Sequence, residues 1–95
     1  MAAYLIADVQ VTDPRVYEDY RSRVPAIIAA HGGRYLVRGG RVEQLEGDVN
    51  PQRVVVLEFP SMAQLRAFYD SAEYRDVITI RQRSARANLF AVEGL

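Results

Sequence analysis

The sequence has no cysteine and no lysine, and a single histidine, His31, among its 95 residues. Without cysteine there is no disulfide framework and no thiolate metal site, which argues against a secreted, disulfide-stapled domain. One histidine leaves little for zinc or haem, and no acidic cluster has ligand spacing, so no metal or cofactor is expected. No Gly-x-Gly-x-x-Gly, P-loop or Gly-x-Ser-x-Gly pattern occurs, so dinucleotide, nucleotide and hydrolase-elbow chemistry lack their signatures. Long apolar runs are also missing: nothing approaches the ~20 residues of a membrane span. The opening Met-Ala-Ala-Tyr-Leu-Ile carries no basic segment before its apolar residues. The expected location is the cytoplasm, with no membrane partner.

The twelve basic residues, all arginine, balance twelve acidic ones to a formal net charge of zero. Long-range attraction to nucleic acid is therefore not indicated. Any anion met by this chain meets planar, permanently charged guanidinium groups. The hydrophobic share of 49% suits a folded chain, and the length suits one domain over residues 1–95.

Alternation over Tyr4 to Val11 predicts a strand with Leu5, Ala7, Val9 and Val11 on one face and Tyr4, Ile6, Asp8 and Gln10 on the other. Asp13-Pro14 opens a helix, with Val16, Tyr20, Val24, Ile27 and Ile28 as its apolar stripe. Pro25 inside that stripe predicts a kink or break near Val24, because it removes one amide and crowds the carbonyl of Arg21. His31-Gly32-Gly33 ends the helix, and Arg34 to Arg38 is a second strand. Val42 to Glu46 either prolongs that strand past a bulge at Gly39-Gly40 or returns as a hairpin arm. Arg53 to Phe59 is the strongest strand, stopped by Pro60. Ser61 and Ser71 cap two further helical segments, the second running to about Ala85. Ala87 to Glu93 is the last strand.

The order β-α-β-β-α-β, its second helix broken in two, predicts an α+β, ferredoxin-like fold: an antiparallel sheet with its helices on one face. The other face should then be polar, yet Val54 to Leu57 are apolar on both sides, and the first strand adds Leu5 and Val9 on one side and Tyr4 and Ile6 on the other. A face of this kind needs a cover. A second copy of the sheet, burying on the order of 1,600 Å² or more, is the expected partner.

The chemistry-bearing residues concentrate between His31 and Arg41. Strict alternation puts Arg34, Leu36 and Arg38 on one strand face and Tyr35 and Val37 on the other. Arg34 and Arg38 are candidates to clamp a carboxylate, enolate or phosphate; the alternative is surface pairing with Glu43, Glu46 or Glu58. His31 is the candidate proton carrier, or only a helix C-terminal residue favoured by the dipole. Asp8, an acid in a half-apolar strand, is the second catalytic candidate. Tyr4, Tyr35 and Tyr69 are candidates to line a ligand pocket, whereas the spacing of Tyr17, Tyr20 and Tyr74 argues for packing.

Thr12-Asp13-Pro14 with Tyr17 and Tyr20, Val24-Pro25, the Gly32 to Gly40 run, Leu45-Glu46-Gly47-Asp48, Val55 to Ser61, Phe68-Tyr69, Glu73-Tyr74 and Val92-Glu93-Gly94 together resemble the Domain of Unknown Function 1330 family. That family lies within the dimeric α/β-barrel superfamily, and the resemblance covers nearly the whole chain. It implies a ferredoxin-like protomer whose sheet packs on its twin's to form a barrel. It implies no one reaction, since the wider superfamily includes cofactor-independent monooxygenases, lactone isomerases, haem enzymes and amino-acid-sensing domains. Two functional expectations follow. One is a cofactor-independent enzyme on a small aromatic or carboxylated molecule, with His31 or Asp8 moving a proton and Arg34, Tyr35, Arg38 and Tyr69 binding. The other is a non-catalytic small-ligand-binding or stress-associated dimer.

Overall fold

In the computed structural model, which describes residues 1–95, the chain runs β1 (Ala3–Val11), α1 (Pro14–Ala30), β2 (Arg34–Arg38), β3 (Arg53–Phe59), α2 (Met62–Tyr69), α3 (Ala72–Ser84) and β4 (Ala85–Glu93). The four strands form one antiparallel sheet in the order β2-β3-β1-β4. The predicted helix starts hold: Asp13, Ser61 and Ser71 each accept a hydrogen bond from the backbone N–H three residues on.

The core lies between the helices and one sheet face. Leu5, Leu57 and Phe59 from the sheet meet Val24, Ile28, Phe68, Tyr74 and Ile78 from the helices. Phe68 sits at the centre, its ring 5.3 Å from Phe59 and 4.6 Å from Tyr74. Offset aromatic contacts of this kind add to the burial itself. Gly33 has to be glycine here, because a Cβ on it would overlap both Phe59 and Ile28.

Three sequence expectations change. First, α1 runs unbroken through Pro25. Proline leaves the Arg21 carbonyl without its amide donor, and the Arg38 guanidinium takes that place, donating to it at 3.3 Å. Second, Val42 to Glu46 is neither strand nor hairpin arm. The β2–β3 ladder closes at the Gly39 N–H bond to Val54, and beyond it no strand lies opposite.

Third, Arg34 and Arg38 do not share a face. Arg34 pairs with Glu58 and Tyr35 with Leu57, but Val37 pairs with Val56 and Arg38 with Val55. Leu36 is the extra residue of a β-bulge, which reverses the alternation after it. Tyr35 and Arg38 therefore both face the helices, while Arg34 and Val37 face away.

On the uncovered face, Val37, Val56, Ile6 and Phe90 stand side by side across all four strands. Phe90 is 58% exposed and its neighbour Val92 46%. No helix is long and apolar enough to cross a membrane.

Candidate functional site

Between the sheet and the helices the core is incompletely filled. A cavity of about 50 Å³ remains, walled by Leu5, Val55 and Leu57 of the sheet and Val24, Ile28 and Phe68 of the helices. Its polar lining is unusual: four arginines (Arg21, Arg38, Arg53, Arg81) and four tyrosines (Tyr17, Tyr20, Tyr35, Tyr74), with no carboxylate. None of Arg38, Arg53 and Arg81 forms a salt bridge, although six other pairs exist in the molecule.

Each arginine is placed by a local feature. Arg38 is turned inward by the Leu36 bulge, stacks 4.6 Å from the Tyr35 ring centroid and is tied to the Arg21 carbonyl. Cation–π contact and a charge-assisted bond together fix the guanidinium over the ring. Arg53 begins β3 opposite Val9, on the core side. Gly39, at φ +72, leaves room for its guanidinium, which a Cβ would strike. Arg81 stands on the inner face of α3, only 7% exposed. The Nε atoms of Arg53 and Arg81 are buried with no acceptor, a costly state for a charged donor.

Two of the tyrosines, Tyr20 and Tyr35, are held as neutral phenols. The Tyr20 and Tyr74 hydroxyls are bonded at 2.9 Å. Burial, reinforced by Tyr74, pushes the Tyr20 phenol far above its ordinary range. Burial also raises Tyr35, against the opposing pull of Arg38. For Arg81, burial acts to lower the pKa, but Tyr74 and Tyr20 outweigh it and the net shift is upward. The cavity thus presents phenol hydroxyls and permanent cations with no anionic group of its own, an arrangement rich in hydrogen-bond donors.

Of the residues singled out in the sequence, Tyr35 and Arg38 line this cavity. The others lie elsewhere. Arg34 is on the uncovered sheet face, bonded to Glu58 at 2.6 Å. Asp8 is on the same face and accepts from the Gln52 N–H at 2.9 Å. His31 caps α1: Nδ1 donates to the Ile27 carbonyl at 2.9 Å, and Nε2 is 3.9 Å from Glu73. Tyr69 stacks on Arg75 at 4.5 Å and on Tyr74. Asp8, His31 and Arg34 do not converge: one is in the helix layer, and the other two are four positions apart along β3, opposite Val54 and Glu58.

Arg53 and Arg81 were not singled out by sequence reasoning, yet the pattern holds a signal. Arg81 continues the inner stripe Tyr74, Val77, Ile78, and Arg53 alternates with Val55, Leu57 and Phe59. A charged residue on a core-facing position must be paired or face a cavity. The tyrosines assigned to packing do pack, and all three also line the cavity beside the arginines. No group of three or more acidic, histidine or cysteine side chains could hold a metal ion.

Several solved structures share this architecture. A protein of unknown function from Rhodopseudomonas palustris superposes with a TM-score of 0.80 at 18% identity, over 99% of this chain and 82% of that one. A dimeric ferredoxin-like protein of unknown function from Jannaschia sp. gives 0.73 at 12% identity, over 99% and 100%. SnoaB, a cofactor-independent oxygenase from Streptomyces nogalater, gives 0.64 at 12% identity, over 99% and 93%. At such identities the likeness establishes the ferredoxin-like fold. No curated protein matches the chain. The family model of DUF1330, a domain of unknown function, matches residues 2–95, and the chain belongs to that family.

Proposed function

We propose that this protein is a small-molecule-binding homodimer whose helix–sheet cavity receives a small organic acid. One observation carries this reading: no carboxylate lines the cavity, and of its four arginines only Arg21 has a salt bridge, to Glu18, so the protein leaves the counter-charge of the other three to a ligand. Guanidinium groups suit carboxylates by their forked geometry, and the apolar walls suit a short carbon body. Tyr35 and Arg38 would form the sheet-side part of the site, with Arg53 beside them.

The pairing of protomers rests on the apolar row Val37, Val56, Ile6 and Phe90, which needs a cover. A cysteine-free chain is in keeping with action in the cytoplasm.

Retention of the ligand is favoured over its chemical conversion. No side chain of the cavity can take a proton near neutral pH, since burial holds the phenols of Tyr20 and Tyr35 in their protonated form. A second reading, a cofactor-independent enzyme, draws support from the fold shared with SnoaB. The same donors would stabilise an enolate or phenolate, provided the substrate loses its proton without a protein base.

Thermal shift with propionate and benzoate tests the binding reading. A ligand at a hundred times its Kd adds about 2.7 kcal/mol to stability, a rise of several degrees. The rise should vanish in Arg38→Gln and Arg53→Gln and persist in Arg34→Ala and His31→Ala. A rise that survives both cavity substitutions, or none with either acid, overturns it. Oxygen uptake or product formation from a bound acid would decide for the enzyme.

A further inference from the structure

The cavity holds more donor capacity than one carboxylate can use. Arg38 and Arg53 reach it from the sheet, on β2 and β3, and both act on the Tyr35 phenol. Arg81 reaches it from the opposite layer, on α3, where Tyr74 and Tyr20 surround it. Two guanidinium Nε atoms are buried without an acceptor, one on Arg53 and one on Arg81, so each layer contributes one. Arg81 is 7% exposed, so little water reaches its Nε. The Tyr20–Tyr74 bond uses only one of the two hydroxyl protons, leaving the other free to meet an acceptor next to Arg81.

A single carboxylate held between Arg38 and Arg53 satisfies the sheet side and leaves the Arg81 Nε without an acceptor. Buried charged donors without partners are costly, and two of them on facing layers define two acceptor positions. We infer that the ligand is a short two-ended oxyacid. Its carboxylate lies against Arg38 and Arg53, and a second carboxylate or oxo oxygen lies at Arg81 and the Tyr20–Tyr74 pair. This rests on the anion-binding reading above and narrows it to a ligand class.

The size of the cavity limits the carbon body. About 50 Å³ exceeds the ~10–15 Å³ a cavity needs to admit a first water, whose share of liquid volume is ~30 Å³. A three-carbon acid, with five to seven heavy atoms, fits only when the exposed Arg38 side chain swings outward to widen the space. A benzene ring with a carboxylate needs a still wider opening, so aromatic acids should bind more weakly than short ones.

Calorimetric titration with propionate, pyruvate and malonate at constant ionic strength tests the inference. The three share a carbon count: pyruvate adds an oxygen without adding charge, and malonate adds both. Pyruvate and malonate should bind at least about tenfold more tightly than propionate, the range expected of one hydrogen bond to a charged group. In Arg81→Met that preference should fall to about twofold or less. Tyr20→Phe, which removes only a hydroxyl, should reduce it too and gives a second measurement should Arg81→Met fold poorly. The free Arg81→Met protein should unfold at no lower temperature than the parent, because a buried charged donor without an acceptor at Nε has gone. A drop in that temperature would assign Arg81 a structural role and overturn the inference. Equal binding of the three acids, or a preference that survives both substitutions, overturns the two-ended ligand alone. Failure of all three, propionate included, overturns the anion-binding reading with it.

Discussion

Arg38 donates a hydrogen bond to the Arg21 carbonyl at 3.3 Å, the acceptor that Pro25, four residues further along α1, leaves without its amide partner. Pro25 and Arg38 are thus coupled, though they lie on different elements and never share a bond. The helix tolerates its proline because the guanidinium replaces the missing donor. The guanidinium, in turn, is anchored over Tyr35 at the cavity wall.

Replacing Pro25 by alanine should separate stability from binding. Proline inside a helix costs about 3 kcal/mol relative to alanine. Against that gain stand the displaced Arg38 bond, ~1 kcal/mol, and the greater freedom of the unfolded chain, ~0.4–1 kcal/mol. Pro25→Ala should therefore be more stable by about 1 kcal/mol, a rise of several degrees in Tm. The restored amide competes for the Arg21 carbonyl, so affinity for small acids should fall severalfold. Urea unfolding and acid titration on the same sample check both signs.

The order of the elements was legible because hydrophobic period and capping residues agree along the chain: Asp13, Ser61 and Ser71 cap as their positions imply. The faces of β2 were not legible. A bulge at Leu36 has no side-chain signature of its own, and one extra residue exchanges the faces of everything after it. That exchange sends Val37 to the uncovered face and Arg38 to the cavity. Alternation therefore paired Arg34 with Arg38 as a clamp, while the ladder pairs Arg34 with Glu58. Arg53 and Arg81 escaped notice for a related reason. Their spacing marks core-facing positions, but only the tertiary arrangement shows that those positions meet at one cavity.

Gly39 offers a test of how Arg53 is positioned. Its φ of +72 suits glycine, and a Cβ there would strike the Arg53 guanidinium. Gly39→Ala should destabilise the protein by about 1–2 kcal/mol through the left-handed backbone, and should displace Arg53 from the cavity. Acid affinity should fall as far as in Arg53→Gln. If affinity is unchanged while stability drops, Arg53 is not held by this contact. The control is Gly40→Ala, where the added Cβ meets nothing within 4 Å.

Alkaline pH should unfold this protein more readily than its charge balance suggests. The phenols of Tyr20 and Tyr35 are raised above the ordinary phenol value of 10.0, chiefly by burial. Below pH 10 both phenols are neutral in the folded and unfolded chains alike, and stability is unaffected. Above it the unfolded chain releases protons that the folded one retains. Stability is therefore lost as pH rises from about 10 toward the folded values, by up to about 1.4 kcal/mol per pH unit for each group. Urea midpoints measured from pH 9 to 11.5 should fall, and Tyr20→Phe should flatten the slope by about one proton. A slope unaltered by Tyr20→Phe would remove that phenol as a cause.

The row Val37, Val56, Ile6 and Phe90 crosses the whole sheet on the face the helices leave bare, and the bulge that turns Arg38 inward is what puts Val37 in it. Cavity and pairing surface thus depend on the same irregularity. Phe90 stands at the β4 end of the row and is 58% exposed, so a charge there should be harmless in a monomer and costly in a dimer. Burying an unpaired guanidinium once per protomer costs several kcal/mol per pair, enough to weaken association by more than about a hundredfold. Light scattering after size exclusion at micromolar concentration should give twice the chain mass of 10.7 kDa for the parent and the single mass for Phe90→Arg. Far-UV circular dichroism of the variant should match the parent, since the side chain leaves the helix–sheet core untouched. A parent that elutes as a clean monomer would leave the apolar row without a twin to cover it, and the homodimer would have to be abandoned.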